Sequence, residues 1–140
     1  MRTPADNIPR IKHHMTPFPY SIAAARGLDE AEAMMDEHDI RHLPVTRADA
    51  LHGLLYRAEL RVATELGADG RAITVGDVCT RDPLIVDLNT PLADVADIMV
   101  ERRVSAALVT RADKLVGILT STDVCRLLGE LLRGPPDEVA

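Results

Sequence analysis

The feature that most constrains this chain is an internal repeat with an offset of 64 residues, the distance from Thr16 to Thr80. The register holds without a gap for the next forty-odd positions, and the pentapeptide Val45–Asp49 recurs as Val109–Asp113. A gapless register of this length indicates two copies of one supersecondary unit. Such units bury their apolar faces by stacking on each other, so the two copies are expected to fold as a pair.

Each copy predicts the order strand, helix, strand, strand, helix, which is an α/β layer arrangement. Apolar residues at helical spacing mark the first helix of each copy, with Thr90 as the expected N-cap and Pro91 at the first helical position. The expected fold is therefore α/β, with two βαββα repeats packed by pseudo-two-fold symmetry, helices outward and a cleft between equivalent strands. The predicted strands are 20–22, 43–45, 51–56, 84–86, 107–109 and 115–120; the predicted closing helices are 57–66 and 121–132; the predicted turns are 46–50 and 110–114.

Composition sets the boundaries of the copies. Gly67–Gly70 is typical of a flexible linker, and Gly134–Pro136 is expected to end the last helix. We therefore place the first repeat at residues 10–66, the linker at 67–74, the second repeat at 75–132 and a flexible tail at 133–140.

Charge and aromatic content argue against bulk nucleic-acid binding. The net charge is −6, each half carries −3, and aromatic residues make up only 2% of the chain. A phosphate-backbone binder normally has a basic patch, and single-strand binders need aromatic stacking platforms.

The sequence also predicts a cytoplasmic protein that does not bind membranes. Residues 1–10 lack the apolar segment of a secretory signal, and no apolar run approaches the length of a membrane span. The two cysteines, Cys79 and Cys125, form no metal quartet or disulfide framework, so we expect reduced thiols and no metal site.

Two stretches resemble the repeats of the cystathionine-β-synthase-type (CBS) family. Residues 35–45, MDEHDIRHLPV, resemble the middle of a CBS repeat. Residues 117–124, GILTSTDV, resemble its closing motif, G-h-h-T-x-x-D-h, in which h is an apolar residue. The openings Met15-Thr16 and Cys79-Thr80 also fit, so the resemblance covers residues 10–132.

The resemblance implies a compact regulatory module with two clefts that binds an adenosine-containing ligand and commonly dimerises. It also implies that the Asp of the closing motif accepts hydrogen bonds from the ribose hydroxyls. The chemistry agrees, because an ionised carboxylate is a pure acceptor and a ribose diol offers two donors. The N-terminus of the helix that follows favours a phosphate. The expected ligand is AMP, ADP or ATP, with no required cofactor; the alternatives are S-adenosylmethionine or NAD.

The first cleft carries the full set of expected residues. On its ribose and phosphate side we expect Ile118, Thr120, Thr122 and Asp123, with Arg41 or His42 meeting phosphate. Its base side is expected to consist of Thr16, Tyr20, Ser21 and Ile40.

The second cleft is degenerate. Tyr56 stands where the motif has Thr, and Glu59, longer by one methylene, stands where it has Asp. We expect this cleft to be weak or empty. Its remaining wall is predicted from Thr80, Ile85, Val104, Ser105 and Ala106.

Simpler structural interpretations stand beside these. Thr120 and Asp123 also match a capping box, and the two roles can coexist. His13 and His14 are favoured as a solvated pair, His42 as a phosphate contact or a satisfied histidine, Cys79 as a packed thiol, and Arg102-Arg103 as complements of a helix C-terminus. For the leucines of the last helix (127, 128, 131 and 132), core packing is favoured over a dimer contact.

Three functions are compatible with the sequence. The first is a regulatory adenosine-ligand sensor acting on an unknown partner protein, as a homodimer. The second is a ligand-free dimerisation or interaction module. The third, an enzyme, has little support, because the sequence shows no nucleophile with a paired base, no dinucleotide fingerprint and no Walker-type loop.

Overall fold

The computed structural model describes residues 8–67 and 73–134, which form two compact units. Most of the predicted linker (68–72) and of the predicted tail (135–140) lies outside these residues. Among the described residues, unit 1 comprises 8–17, 84–111 and 116–134, and unit 2 comprises 18–67, 73–83 and 112–115. The elements in chain order are β1 (Thr16–Pro17), β2 (Ile22–Ala23), α1 (Leu28–His38), β3 (His42–Arg47), β4 (Ala50–Tyr56), α2 (Arg57–Glu65), α3 (Val75–Val78), β5 (Ile85–Asp87), α4 (Leu92–Arg102), β6 (Ala106–Arg111), β7 (Lys114–Thr120) and α5 (Ser121–Arg133).

Unit 2 is built on a three-stranded sheet in the order β2-β3-β4. Strand β2 runs parallel to β3, and β3 pairs antiparallel with β4, so that Leu43 faces Leu55. The apolar stripe of α1 supplies Ala31 and Met35, both completely buried, to the core over this sheet. The rest of that core is aliphatic, as the scarcity of aromatic residues requires: Ile22, Ala24, Leu43, Val45, Leu55, Leu60, Val75 and Cys79.

Unit 1 is built on a four-stranded sheet in the order β1-β7-β6-β5. Strand β5 runs parallel to β6, as β2 does to β3 in unit 2. Helix α4 buries Val95 and Met99, which stand 64 residues after Ala31 and Met35. The core of this unit contains Ile11, Leu84, Val86, Leu92, Val95, Met99, Ala107, Val109, Leu119 and Leu127.

The predicted α/β class and the repeated element order are confirmed, and the bounds differ in detail. Helix α4 begins at Leu92, so Pro91 is its N-cap and Thr90 precedes the cap; the prediction of Thr90 as N-cap was wrong by one residue. Pro91 is extended (ψ 135°), so it stands just outside the helix. The short helix α3 and a 3-10 turn at Ile11–His13 were not predicted, because both are too short to show a periodic pattern.

The predicted five-residue turns are two-residue hairpins. Ala48 and Asp49, like Ala112 and Asp113, have positive φ angles at both positions, with identical values in the two copies. Two-residue turns of this left-handed kind match the twist of the strands that they join. The neighbouring turn residues therefore extend the strands.

Each opening segment pairs with the sheet that contains the closing strand of the other copy. Thr16 of β1 lies opposite Ile118 of β7, and Thr80 exchanges backbone hydrogen bonds of 2.9 Å with Leu54 of β4. The compact units therefore differ in composition from the two sequence copies.

This pairing requires a glycine in each closing strand. A Cβ atom on Gly53 would collide with the backbone carbonyl oxygen of Thr80, and one on Gly117 would collide with the Sδ of Met15. The two collisions differ in kind, because a methionine side chain can rotate away whereas a paired backbone cannot.

We predict that Gly53→Ala lowers the free energy of unfolding by about 2–3 kcal/mol, the upper range for overpacking. Gly117→Ala, the matched change in the other copy, should cost clearly less because Met15 can repack. Urea unfolding of both variants measures this, and equal losses would contradict the stated difference between backbone and side-chain obstacles.

Candidate functional site

The carboxylate of Asp123 is the chemical centre of the second closing motif. It is buried, with 8% of the residue exposed, at the third position of α5. Its Oδ2 accepts hydrogen bonds from the Thr120 backbone N–H (2.8 Å) and hydroxyl (3.0 Å). Its Oδ1 lies 3.1 Å from the Arg126 guanidinium. The predicted capping box is therefore present, and both oxygens already have partners in the ligand-free chain.

The N-terminus of α5 retains little free donor capacity. Of its first four N–H groups, that of Thr120 is bound by Asp123, that of Ser121 donates to the Ser105 carbonyl (2.8 Å), and that of Asp123 donates to the Thr120 hydroxyl (3.3 Å). Within the part of the chain that the structure describes, the N–H of Thr122 remains. The expectation of several free N–H groups for a phosphate is thus reduced to one.

The other predicted residues in unit 1 lie on β1, on β7 and on the first turn of α5. Thr16 is exposed and pairs with Ile118, which is 6% exposed and precedes Thr120 by two residues. Thr122 is exposed on the first turn of α5. Because Thr16 pairs with Ile118, it belongs with the closing motif and lies in a different unit from Tyr20 and Ser21, with which the sequence grouped it.

The predicted base-side and phosphate-side residues of unit 2 lie at the start of β2 and β3. Tyr20, Ser21 and Arg41 are exposed, and Ile40 and His42 are half-buried. The ring of Tyr20 stacks on His38, with centroids 3.7 Å apart. The ring of His42 packs edge-on against Tyr56 at 5.2 Å.

In unit 2 the closing motif is satisfied internally. The Oε1 of Glu59 accepts the Tyr56 backbone N–H (2.9 Å), and its Oε2 accepts the Thr80 hydroxyl (2.6 Å). The additional methylene of Glu lets the carboxylate reach Thr80. In unit 1 Asp123 has Arg126 at the corresponding oxygen, and Arg126 is a solvent-exposed partner. A ligand would therefore have to replace the Thr80 hydrogen bond in the motif of unit 2 and the Arg126 ion pair in the motif of unit 1.

The remaining residues predicted for the second cleft lie in unit 1. Ile85 is half-exposed on β5, Val104 and Ser105 lie between α4 and β6, and Ala106 is buried at the start of β6. The structure thus brings Thr80, Tyr56 and Glu59 together in unit 2. The other four residues predicted for this cleft belong to unit 1.

Other candidate residues have structural roles. Cys79 is buried, and burial raises the pKa of its thiol, so the packed-thiol interpretation is confirmed. Met35 and Met99 are core residues, and Arg103 is the left-handed C-cap of α4. Of the four leucines of α5 only Leu127 is in the core; the expectation of core packing was wrong for Leu128, Leu131 and Leu132, which are 55%, 59% and 79% exposed.

The three remaining histidines are His13, His14 and His52. His13 is exposed and His14 is half-buried. Within residues 8–67 and 73–134, no three His, Cys, Asp or Glu side chains are grouped so that they could hold a metal ion. His52 was not predicted as special: burial, followed by the charges of Arg81 and Arg47, lowers its pKa, and its Nε2 is buried without a partner. None of the helices in the described ranges combines the length and apolar character that a membrane crossing needs.

Comparison with known proteins gives a consistent result. Residues 11–64 and 75–130 each match the CBS domain family. Hypoxic response protein 1 of Mycobacterium tuberculosis is 32% identical over 105 residues, which cover 74% of this chain and 73% of that protein.

Two solved structures are similar to the chain and contain adenosine compounds. CBSX2 in complex with AMP has a TM-score of 0.74 and 28% identity, and the match covers 89% of this chain and 98% of that one. The CBS domain pair of protein MJ0100 in complex with 5′-methylthioadenosine and S-adenosyl-L-methionine has a TM-score of 0.76 and 26% identity, covering 87% and 97%. With the repeat, the two closing motifs and both family matches in agreement, this chain belongs to the CBS domain family as a tandem pair of regulatory ligand-binding repeats.

Proposed function

We propose that this chain is a regulatory module that binds an adenine nucleotide of the AMP, ADP or ATP type, with Asp123 accepting hydrogen bonds from the ribose hydroxyls. The single observation that carries the proposal is the buried Asp123 carboxylate at the start of α5, whose Oδ1 has, among the residues that the structure describes, only the exposed Arg126 as partner. AMP, 5′-methylthioadenosine and S-adenosylmethionine, found with the two similar structures, share the adenosine group. Ribose recognition is the chemistry common to them.

The partner of the Asp123 Oδ1 can be replaced by a ligand. Arg126 is 62% exposed, so water can solvate its guanidinium when the ion pair separates. A ribose diol can therefore replace or share this partner at small cost. Thr120 holds the other oxygen by two hydrogen bonds and keeps the carboxylate oriented.

The phosphate is assigned mainly to side chains. One first-turn N–H of α5 remains for it, so Arg41 and His42, the residues that the family resemblance selects, are the proposed phosphate contacts. Thr122 and its N–H complete the proposed polar set, and Thr16, Tyr20, Ser21, Ile40 and Ile118 are the proposed apolar and base contacts.

The second cleft, which contains the degenerate motif of unit 2, is proposed to bind no ligand. A ligand there would have to displace the 2.6 Å hydrogen bond between Glu59 and Thr80, which is charge-assisted and part-buried. One ligand per chain is the expected stoichiometry.

The exposed leucines of α5 support a homodimer as the assembled form. Leu128, Leu131 and Leu132 follow the i, i+3, i+4 spacing that places them on one helix face. A contiguous apolar face on an exposed helix is typical of an interaction surface. A second copy is the proposed occupant, and the regulated partner protein is proposed to respond to the dimer. Catalysis is not part of the proposal, since tandem CBS modules are generally regulatory.

We predict that wild-type protein shows a dose-dependent rise in melting temperature with an adenine nucleotide, and that Asp123→Ala weakens binding by roughly a hundred-fold. Loss of hydrogen bonds to a charged group accounts for that magnitude. Thermal shift and calorimetric titration with AMP, ADP, ATP, NAD and S-adenosylmethionine measure both effects.

Asp77→Ala is the matched control for this prediction, because Asp77 caps α3 through Thr74 with the same pattern of hydrogen bonds, at 2.9 and 3.0 Å. Both variants lose a capping carboxylate, and only Asp123→Ala should lose the ligand. Normal binding by Asp123→Ala removes the ribose assignment, and no shift with any of these compounds at millimolar concentration favours the ligand-free interaction module.

We predict that the double variant Tyr56→Thr/Glu59→Asp binds two ligands per chain where the wild type binds one. The shorter Asp no longer reaches Thr80, and Thr restores the hydroxyl of the motif. Calorimetric stoichiometry measures the change, with Glu59→Gln as the control that keeps the side-chain length. Two equivalents bound by the wild type would contradict the proposed empty site.

We predict that Leu128→Glu/Leu132→Glu converts a dimer to a monomer in light scattering coupled to gel filtration. Desolvating two carboxylates in an apolar interface is unfavourable. Glu130→Lys, an exposed change on the opposite side of α5, should leave the dimer intact. A monomeric wild type, or a dimeric double variant, rules out this face.

A further inference from the structure

Unit 1 contains a cavity that the proposed nucleotide site does not use. It has a volume of about 510 Å³, within the range of roughly 300–1,000 Å³ that small-molecule sites occupy. It lies between the segment before β1, the connection from β5 to α4, and the end of β6. Its lining residues are Ile8, Pro9, Arg10, Ile11, Lys12, Leu88, Asn89, Thr90, Pro91, Leu92 and Arg111.

The corresponding place in unit 2 is closed. There, Val75 donates a backbone hydrogen bond of 2.8 Å to Arg26, and Gly76 donates one of 2.9 Å to Ala24. Thr74 and Gly27 form a further backbone bridge. By the offset of 64, these two segments correspond to residues 10–12 and 88–91 of unit 1. Among the described residues, no backbone hydrogen bond joins those two segments in unit 1.

Two replacements explain why the space stays open in unit 1. Lys12 stands in place of Gly76, where even a Cβ atom would come within 2.9 Å of the Ala24 Cβ. Leu88 stands in place of Ala24, so a larger side chain occupies the position that Gly76 approaches in unit 2. The sequence differences between the copies therefore fall where they prevent closure.

The lining of the cavity is positively charged. Arg10, Lys12 and Arg111 contribute three cations, and no Asp or Glu is among the lining residues. Within residues 8–67 and 73–134, none of these three side chains has an ion-pair partner. The Asn89 amide and the Thr90 hydroxyl add neutral polar groups, and Ile8, Ile11 and Leu92 add an apolar wall.

We propose that this cavity is a second ligand site, for a small phosphorylated molecule whose phosphate is bound by Arg10, Lys12 and Arg111. Guanidinium groups bind phosphate oxygens in pairs, and an ammonium adds a point charge. The apolar wall receives the organic part of the molecule. The site lies within unit 1 and does not involve Asp123, so it is independent of the proposed ribose site.

The test is an amide-resolved NMR titration of the full chain with inorganic pyrophosphate. Saturable shifts are expected at Lys12, Asn89 and Thr90. Arg111→Gln should weaken binding about ten-fold or more, the equivalent of one lost charge-assisted hydrogen bond. Arg47→Gln is the matched control, because it removes the same charge at the equivalent position of the closed copy and should leave binding unchanged.

Two further variants distinguish this cavity from the proposed ribose site. Asp123→Ala should retain pyrophosphate binding, whereas Lys12→Gly/Leu88→Ala should close the cavity and abolish it without loss of the folded spectrum. Absence of shifts at millimolar pyrophosphate, equal weakening by Arg47→Gln, unchanged binding by the closing variant, or equal affinity for citrate overturns the proposal.

Discussion

The close crossing of each opening segment over a closing strand is the constraint on which the rest of the structure depends. Backbone pairing between Thr80 and Leu54 leaves no room for a side chain at Gly53, and pairing between Thr16 and Ile118 places the Met15 side chain against Gly117. Each crossing brings a threonine of one copy to the motif that begins a helix in the other. In unit 2 that threonine, Thr80, donates its hydroxyl to the carboxylate of Glu59, whereas in unit 1 Asp123 is bound by Thr120 and Arg126.

Much of this fold could be predicted from the repeat, because equivalent positions had to satisfy the same helical and strand patterns. The closing helices α2 and α5 and the paired strands β3, β4, β6 and β7 end within a residue or two of their expected positions. The assignment of the opening segments to sheets could not be predicted, since a two-residue strand such as Thr16–Pro17 carries no periodic signal. Thr90 showed the same limitation, because a Thr-Pro pair fits a helix start in two neighbouring registers.

For the candidate site, the sequence could indicate residue types but not the contacts that those residues make. In the sequence, Asp123 and Glu59 occupy equivalent positions of the two closing motifs and differ by one methylene. In the structure, the longer Glu59 accepts the Thr80 hydroxyl, whereas Asp123 pairs with Arg126. The stacking of Tyr20 on His38 and the packing of His42 against Tyr56 depend on side-chain directions at element ends. The cavity of unit 1 could not be predicted either, because it depends on the combined bulk of Lys12 and Leu88 at positions that meet only in the folded chain.

The internal hydrogen bond between Glu59 and Thr80 has a consequence for how the module can respond. In that motif the protein carries its own substitute for a ligand hydroxyl, fixed covalently at high effective concentration. If this motif stays closed, a single chain has one variable nucleotide site and follows a simple saturation curve. Any steeper, switch-like dependence on nucleotide concentration must then arise from coupling to another site or another chain.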